Sequence, residues 1–397
     1  MTMRMQRRLL ATLAAVCSLG LAGPPSASAQ PAPDSLKIGV IAPMTGPSSR
    51  YGSFAWRGAS LAAAQINAAG GVLGRKIVLV QGDSQCTPVE AVSAVRRMIS
   101  SDRVSMMLGD ICSSATLALE PVVEDAKVLL VNAASSNPDI TYKAGVGGLQ
   151  WTFRNYPTDE VRSLVVLKYA AEQRNLHKFA ILSVDNDYGR GAIAFSRKYF
   201  ARFGITVSSE DYFKDDETDF RPVLAKIKAA GVEAILLYGY ADTTRLIARQ
   251  MLELGLAGKV TLVGNGDFIF PDTIKAAPSV MNGAVEAAAW SVDFANPRSL
   301  QFVQDYKAAY GNEAPNVHAY THWETLHLLT AAITKAGSVD AAAVRTALAG
   351  ITYEGATGKV VFDDHQQAEL PMIVYQIEAG APVAKGLFTS KVDYPAH

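Results

Sequence analysis

Gly109-Asp110-Ile111-Cys112-Ser113-Ser114-Ala115-Thr116 is the stretch from which the rest of the chain can be read. In front of it stands the apolar run Val104-Ser105-Met106-Met107-Leu108, which reads as a buried strand. Behind it Leu117, Leu119, Val122 and Val123 recur at helical spacing. Hydroxyls and free backbone N–H groups therefore gather where a strand ends and a helix begins. The first N–H groups of a helix lack partners and carry partial positive charge, so the turn suits a carboxylate. Ser113 and Ser114 are equally residues that cap a helix. On the turn alone both readings stand.

The same strand–loop–helix grammar repeats on either side. Upstream, Leu36–Ile41 reads as a strand, Pro43–Tyr51 as a loop dense in Gly, Pro and hydroxyls, and Phe54–Ala69 as a helix stopped by Gly70-Gly71. Lys76–Val80 is a strand that leads to Asp83–Cys86 and a helix from Pro88 to Ser101. Downstream, Val128–Val131 is a strand running into Asn132–Pro138, and Leu149–Arg154 reads as a strand leaving the first sheet. Buried strands alternating with helices imply a parallel sheet covered on both faces, whose ligands bind beyond the carboxyl ends of the strands. All four loops lie at that edge.

A second alternating series follows. Its helices cover about 158–174, 190–203, 220–230 and 241–254, and its strands are Phe179–Val184, Val207–Phe213, Ala234–Leu237 and Val260–Val263. Their end loops offer Tyr188, Tyr240 and Asp267. Ala284–Trp290 reads as a return crossing, and helices near 299–310, 317–335 and 339–348 precede closing strands at 359–362 and 373–377. The expected class is α/β, with two doubly wound parallel-sheet lobes. Residues 36–154 plus 290–360 form lobe I, and 155–289 plus 361–390 form lobe II.

The start of the chain reads as an export signal. Arg4, Arg7 and Arg8 precede the apolar stretch Leu9–Leu21, and Ala27-Ser28-Ala29 is an A-x-A cleavage site, so residues 1–29 are the signal peptide and the mature chain begins at Gln30 in the periplasm. Cys17 lies inside the apolar stretch behind Val16, where a lipoprotein shows a small residue. Its removal leaves Cys86 and Cys112, and a lone cysteine pair in an exported chain reads as a disulfide, with two buried thiols as the other possibility. Losing three arginines leaves 34 of the 37 basic residues against 37 acids, which argues against a nucleic-acid partner. No G-x-S-x-G, Walker A or G-x-G-x-x-G pattern marks an enzyme or a nucleotide cofactor. His318 and His322 stand at i and i+4, but a metal site needs a third ligand and none is visible. No enzyme activity, cofactor or metal is expected.

Several motifs, in order and spacing, carry a resemblance. They are Met44-Thr45-Gly46-Pro47 with Tyr51-Gly52, then Asn67-Ala68-Ala69-Gly70-Gly71-Val72-Leu73-Gly74, then Cys112-Ser113-Ser114-Ala115-Thr116. Asp187-Tyr188-Gly189-Arg190-Gly191 and Gly239-Tyr240 follow. Together they resemble the type I periplasmic solute-binding proteins of branched-chain amino acid ABC transporters over nearly the whole mature chain. That resemblance implies two lobes joined by three hinge crossings, closing over one small carboxylate-bearing ligand. It implies a monomer that hands the ligand to a membrane permease with ATPase subunits, and it pairs Cys86 with Cys112. By motif, Ser113, Ala134 and Ser136 match the positions that hold the ligand's polar head, with Ile111 and Cys112 giving backbone beside it. Tyr51, Tyr188 and Tyr240 match the aromatic and closing positions.

The family's amino-acid binders place an acid after the strand that ends near Gly264 to meet the ligand ammonium. Here that position is Gly266, and Asp267 lies one residue later. An Asp267 turned inward favours a hydrophobic or branched-chain amino acid. An Asp267 that caps its loop instead leaves an aromatic or keto acid without an amine. A binding subunit that serves a separate sensor is the remaining alternative.

Overall fold

Two sheets carry the chain. The computed structural model describes residues 35–394, and the export segment read at 1–29 lies outside them. The first lobe opens with β1 (Leu36–Ala42), α1 (Ser49–Ala68), β2 (Ile77–Asp83), α2 (Pro88–Ser100), β3 (Met106–Leu108), α3 (Ser113–Ala126), β4 (Leu129–Asn132), α4 (Asp139–Tyr142) and β5 (Thr152–Arg154). Its strands run in the order β2-β1-β3-β4-β5, and every pairing is parallel. The second lobe adds α5 (Asp159–Arg174), β6 (Lys178–Val184), α6 (Asp187–Phe200), β7 (Thr206–Phe213), α7 (Arg221–Ala230), β8 (Ala234–Tyr238), α8 (Ala241–Glu253), β9 (Thr261–Asn265), α9 (Pro271–Ala276), α10 (Pro278–Met281) and β10 (Val285–Ala288). The chain then returns to the first lobe with α11 (Pro297–Ala309), α12 (Val317–Ala336), α13 (Ala341–Ala349) and the hairpin β11 (Tyr353–Gly355)–β12 (Gly358–Val360). It ends in the second sheet with β13 (Met372–Glu378) and β14 (Ala381–Phe388), giving the order β14-β13-β10-β9-β8-β6-β7.

Local chemistry explains the element starts. Thr87 accepts from the N–H of Glu90 ahead of Pro88, Thr158 from Val161, and Asn316 from Ala319, so three helices begin on side-chain caps. Ile38, Val40, Phe54, Phe302 and Leu326 fill the first sheet's face under α1, α11 and α12. Ile41, Val95, Met107 and Leu119 fill the opposite face. Phe179, Ile181, Leu236, Ile247 and Val263 belong to the core of the second lobe.

Four readings of the sequence are corrected. The first helix begins at Ser49, not Phe54, because Ser49 and Tyr51 already donate backbone bonds to Gly46 and Ser48. Residues 152–154 do not leave the first sheet but form its edge, held where the Leu130 N–H meets the Trp151 carbonyl at 2.8 Å. Val285–Ala288 is an inner strand between β9 and β13, and the crossing follows it. A short apolar run cannot by itself distinguish a crossing from an inner strand. Strand β14 went unread because Gly386 and Lys385 interrupt its alternation, and its pairing with β13 is supplied by the Ala379-Gly380 turn.

The chain passes between the sheets three times, after β5, β10 and β12. Arg154, wholly buried in the first passage, donates from Nε to Gln367 in the third at 2.6 Å and from Nη1 to the Asn137 carbonyl at 2.6 Å. Burial pushes its pKa down to about 10.

Helices α1 and α12 cross at Gly58, where an added Cβ would stand 1.9 Å from the Ala319 carbonyl oxygen. Gly58→Ala is therefore expected to force the helices apart and to destabilise by about 1–3 kcal/mol, read as a drop of several degrees in Tm. An unchanged Tm would show that this crossing is slack.

Candidate functional site

A cleft lies where the carboxyl ends of both sheets meet. Several side chains reach it from strand ends. Beyond β3, Ile111 brings the start of α3 to the wall; beyond β4 come Ala134 and Ser136; beyond β8, Gly239 and Tyr240; beyond β9, Asp267. Tyr51 and Tyr188 arrive on the first turns of α1 and α6. Tyr156, Arg162, Phe270, Glu286 and His318 complete the parts of the lining that carry chemistry.

Tyr51 crosses from the first lobe and donates its hydroxyl to Asp267 Oδ2. The Ala241 N–H, at the start of α8, donates to Tyr51 Oη at 2.8 Å and to Asp267 Oδ2 at 3.1 Å. Arg50 and Asp272 form an ion pair across the same junction. Asp267 has φ +56°, a left-handed conformation that aspartate tolerates better than most residues. That backbone turn brings its carboxylate to the cleft one residue later than the family pattern suggests. Burial raises its pKa to about 6, against the opposing pull of the Tyr51 hydrogen bond and the Arg162 charge.

Glu286 sits beside it on β10, accepting from the Ile269 N–H at 3.1 Å. Burial, reinforced by the Asp267 charge, pushes Glu286 up to about 8, so it holds a proton at neutral pH. Arg162 on α5 pairs with Asp159 at 3.4 Å, and its guanidinium lies 5.7 Å from the Tyr156 ring centre. Asp159 accepts from the Ser136 hydroxyl at 2.9 Å through its other oxygen. The His318 ring stands edge-on to Tyr51 at 5.1 Å, and burial lowers its pKa to about 3, which keeps it neutral. The His322 Nδ1 faces the His318 carbonyl at 2.8 Å, so the two rings do not converge on one point.

Of the nine expected ligand positions, Tyr51, Ile111, Ala134, Ser136, Tyr188, Tyr240 and Asp267 line this cleft, and Cys112 and Ser113 do not. Cys112 is bonded to Cys86, with 5.4 Å between Cα atoms. It is also the residue before the first turn of α3, and no side chain caps that helix. The Ser113 hydroxyl accepts from the Asn137 N–H at 3.3 Å, bracing the next loop. Sequence reading missed Tyr156, Arg162 and Glu286. Glu286 does leave a signal, a lone acid inside the apolar run Ala284–Trp290. Arg162 leaves none, since it occupies an ordinary helical position four residues after the cap.

Comparison with known proteins agrees with this architecture. The sequence profile of the periplasmic binding protein family matches residues 35–382. A Leu/Ile/Val-binding protein of Rhizobium johnstonii is 30% identical, the alignment covering 94% of this chain and 99% of that one. The crystal structure of a leucine-binding protein from Thermotoga maritima superposes with TM-score 0.80 at 26% identity, covering 89% of this chain and 98% of its own. A Rhodopseudomonas palustris solute-binding protein, solved with 3,4-dihydroxybenzoic acid, superposes with TM-score 0.81 at 24% identity over 89% and 97%, a likeness of fold alone.

The buried acids set a pH dependence. Above pH 6.5 the unfolded chain carries Glu286 ionised while the folded chain keeps its proton up to about 8. Stability from this group is therefore lost as pH rises through that window. The buried histidines, held low, act only below their ordinary 6.5. The ligand-free Tm is expected to fall between pH 6.5 and 8, with Glu120 and Asp110, which burial raises to about 8 and about 7, contributing beside Glu286, so that Glu286→Gln makes the fall shallower in a thermal melt series without abolishing it. An equal slope in the variant would mean that Glu286 is already ionised at pH 6.5.

Proposed function

This chain belongs to the periplasmic binding proteins of the branched-chain amino acid transporter class, and on that premise we propose that it captures a hydrophobic α-amino acid and delivers it to a membrane permease. Members of this family bind small solutes and work with ABC transporter permeases. The observation that carries the amino-acid reading is Asp267, a half-buried carboxylate lining the cleft with Ala134 and Ser136. In this reading Asp267 meets the ligand ammonium. The loop and the uncapped start of α3 hold its carboxylate. Ile111, Ile269, Phe270 and Val317 surround its side chain. Contacts to both lobes at once favour the closed form over the open one, which is how a ligand can drive a hinge.

A thermal-shift panel on ligand-stripped protein tests this. A ligand at ~100 times its dissociation constant stabilises by roughly 2.7 kcal/mol. Leucine-like amino acids are expected to raise Tm, and their keto acids are not. Because Asp267 must be ionised to pair with an ammonium, amino-acid affinity is expected to fall by up to about tenfold per unit as pH drops below 6. Asp267→Asn is expected to cost roughly 3–5 kcal/mol of binding. A shift with amine-free aromatic or keto acids only, insensitive to Asp267→Asn, would overturn the amino-acid reading. Deleting the gene separates transport, in which uptake is lost, from service to a sensor, in which response is lost with uptake intact. Export with cleavage after Ala29 predicts that Edman sequencing of the periplasmic protein starts at Gln30, and an intact Met1 would reject it.

A further inference from the structure

Arg162 lines the cleft with far fewer hydrogen bonds than its chemistry can make. A guanidinium offers five N–H donors in a planar fork. Its side chain is 8% exposed, and its one hydrogen bond among the described residues is the 3.4 Å contact from Nη1 to Asp159. Nε is buried with no partner. Leaving buried donors of a cation unmet is costly, and an anion against the fork would satisfy them.

The neighbours say which anion fits. Asp159 is gripped through one oxygen by Arg162 and through the other by the Ser136 hydroxyl. Ser136 therefore spends its proton on Asp159, and a ligand carboxylate needs another donor. Because Arg162 and Ser136 hold opposite oxygens of one carboxyl group, a second carboxylate in the cleft can reach the guanidinium and the Ala134–Ser136 loop together. Arg162 comes from α5 of the second lobe and the loop from the first, so such a group would tie the lobes to each other. The Tyr156 ring, 5.7 Å from the guanidinium, limits where the fork can point.

We propose that Arg162 binds the ligand's carboxylate from the second lobe, so that the cleft takes free carboxylic acids and rejects their amides and esters. The proposal rests on the carboxylate half of the function argued above and not on the ammonium half. Calorimetric titration of leucine and leucinamide into wild type, Arg162→Gln and Arg162→Lys tests it. Leucinamide is expected to bind wild type about 100-fold more weakly than leucine. In Arg162→Gln, leucine is expected to weaken to about the amide's affinity, with the amide itself little changed, which a structural role would not produce. Arg162→Lys keeps charge but not the fork and is expected to restore part of the preference.

Equal losses for both ligands in Arg162→Gln, or an undiminished leucine preference, would overturn the proposal. Should Arg162→Gln fail to fold, Arg162→Lys carries the test: a preference identical to wild type overturns it, and a reduced one supports it. If wild type binds keto acids and not leucine, the amino-acid reading fails alone. A keto acid and its amide then replace the leucine pair, with the same two outcomes for Arg162.

Discussion

A phenol from one lobe and a carboxylate from the other share a single backbone N–H. Tyr51 donates to Asp267, and the Ala241 N–H donates to both. The three atoms come from the first turn of α1, the loop after β9 and the start of α8, so none is local to another in sequence. Removing water from such a group is costly unless every member is partnered, and both bonds to Tyr51 require the lobes to be together. The closed arrangement, the partial burial of Asp267 and its raised pKa are thus one fact seen from three sides.

Parallel pairing places these groups. A parallel sheet sends every strand in the same direction, so every strand-end loop and every following helix start lies at one edge. That edge faces the cleft in the first lobe, and in the second lobe it is formed by the parallel strands β6, β8, β9 and β10, with β13 running antiparallel beside them. The central turn shows the local consequence. Asp110, wholly buried, accepts from the Cys112 N–H at 2.7 Å, and its carbonyl accepts from Ser135 at 2.7 Å. These bonds tie the turn after β3 to the loop after β4, and the Cys86–Cys112 disulfide ties it to the loop after β2. Three loops become one rigid wall, with the first N–H groups of α3 left without a side-chain cap.

The opposite wall is built from charge. Asp159, Arg162 and Glu286 lie buried in the second lobe and Asp267 lies half-buried beside them, and loss of water is the largest influence on each. Glu286 answers that burial by keeping its proton. Asp267 is held nearer ionisation by the Tyr51 hydroxyl and the Arg162 charge. Two acids in one cleft are driven apart in pKa, which leaves a single carboxylate charged at neutral pH to face a ligand.

Much of this was legible in the residues. Apolar runs alternating with helical spacing give parallel sheets because strands buried on both faces admit no polar alternation. Strand-end loops rich in hydroxyls and tyrosines marked the cleft edge, and seven of its lining residues were named from motif position. Sequence alone determined most of the elements and the edge at which their loops gather. Tertiary structure decided the rest. Val285–Ala288 is an inner strand only because β9 and β13 flank it, and a four-residue run carries no record of its neighbours. The hydroxyl of Ser113 went to Asn137, a choice made by a loop 24 residues away. Arg162 is a surface-like residue in a helical pattern until two lobes close around it. Its role, like that of Asp267, depends on which groups share a water-free space, and that is a property of the packed chain and not of any window along it.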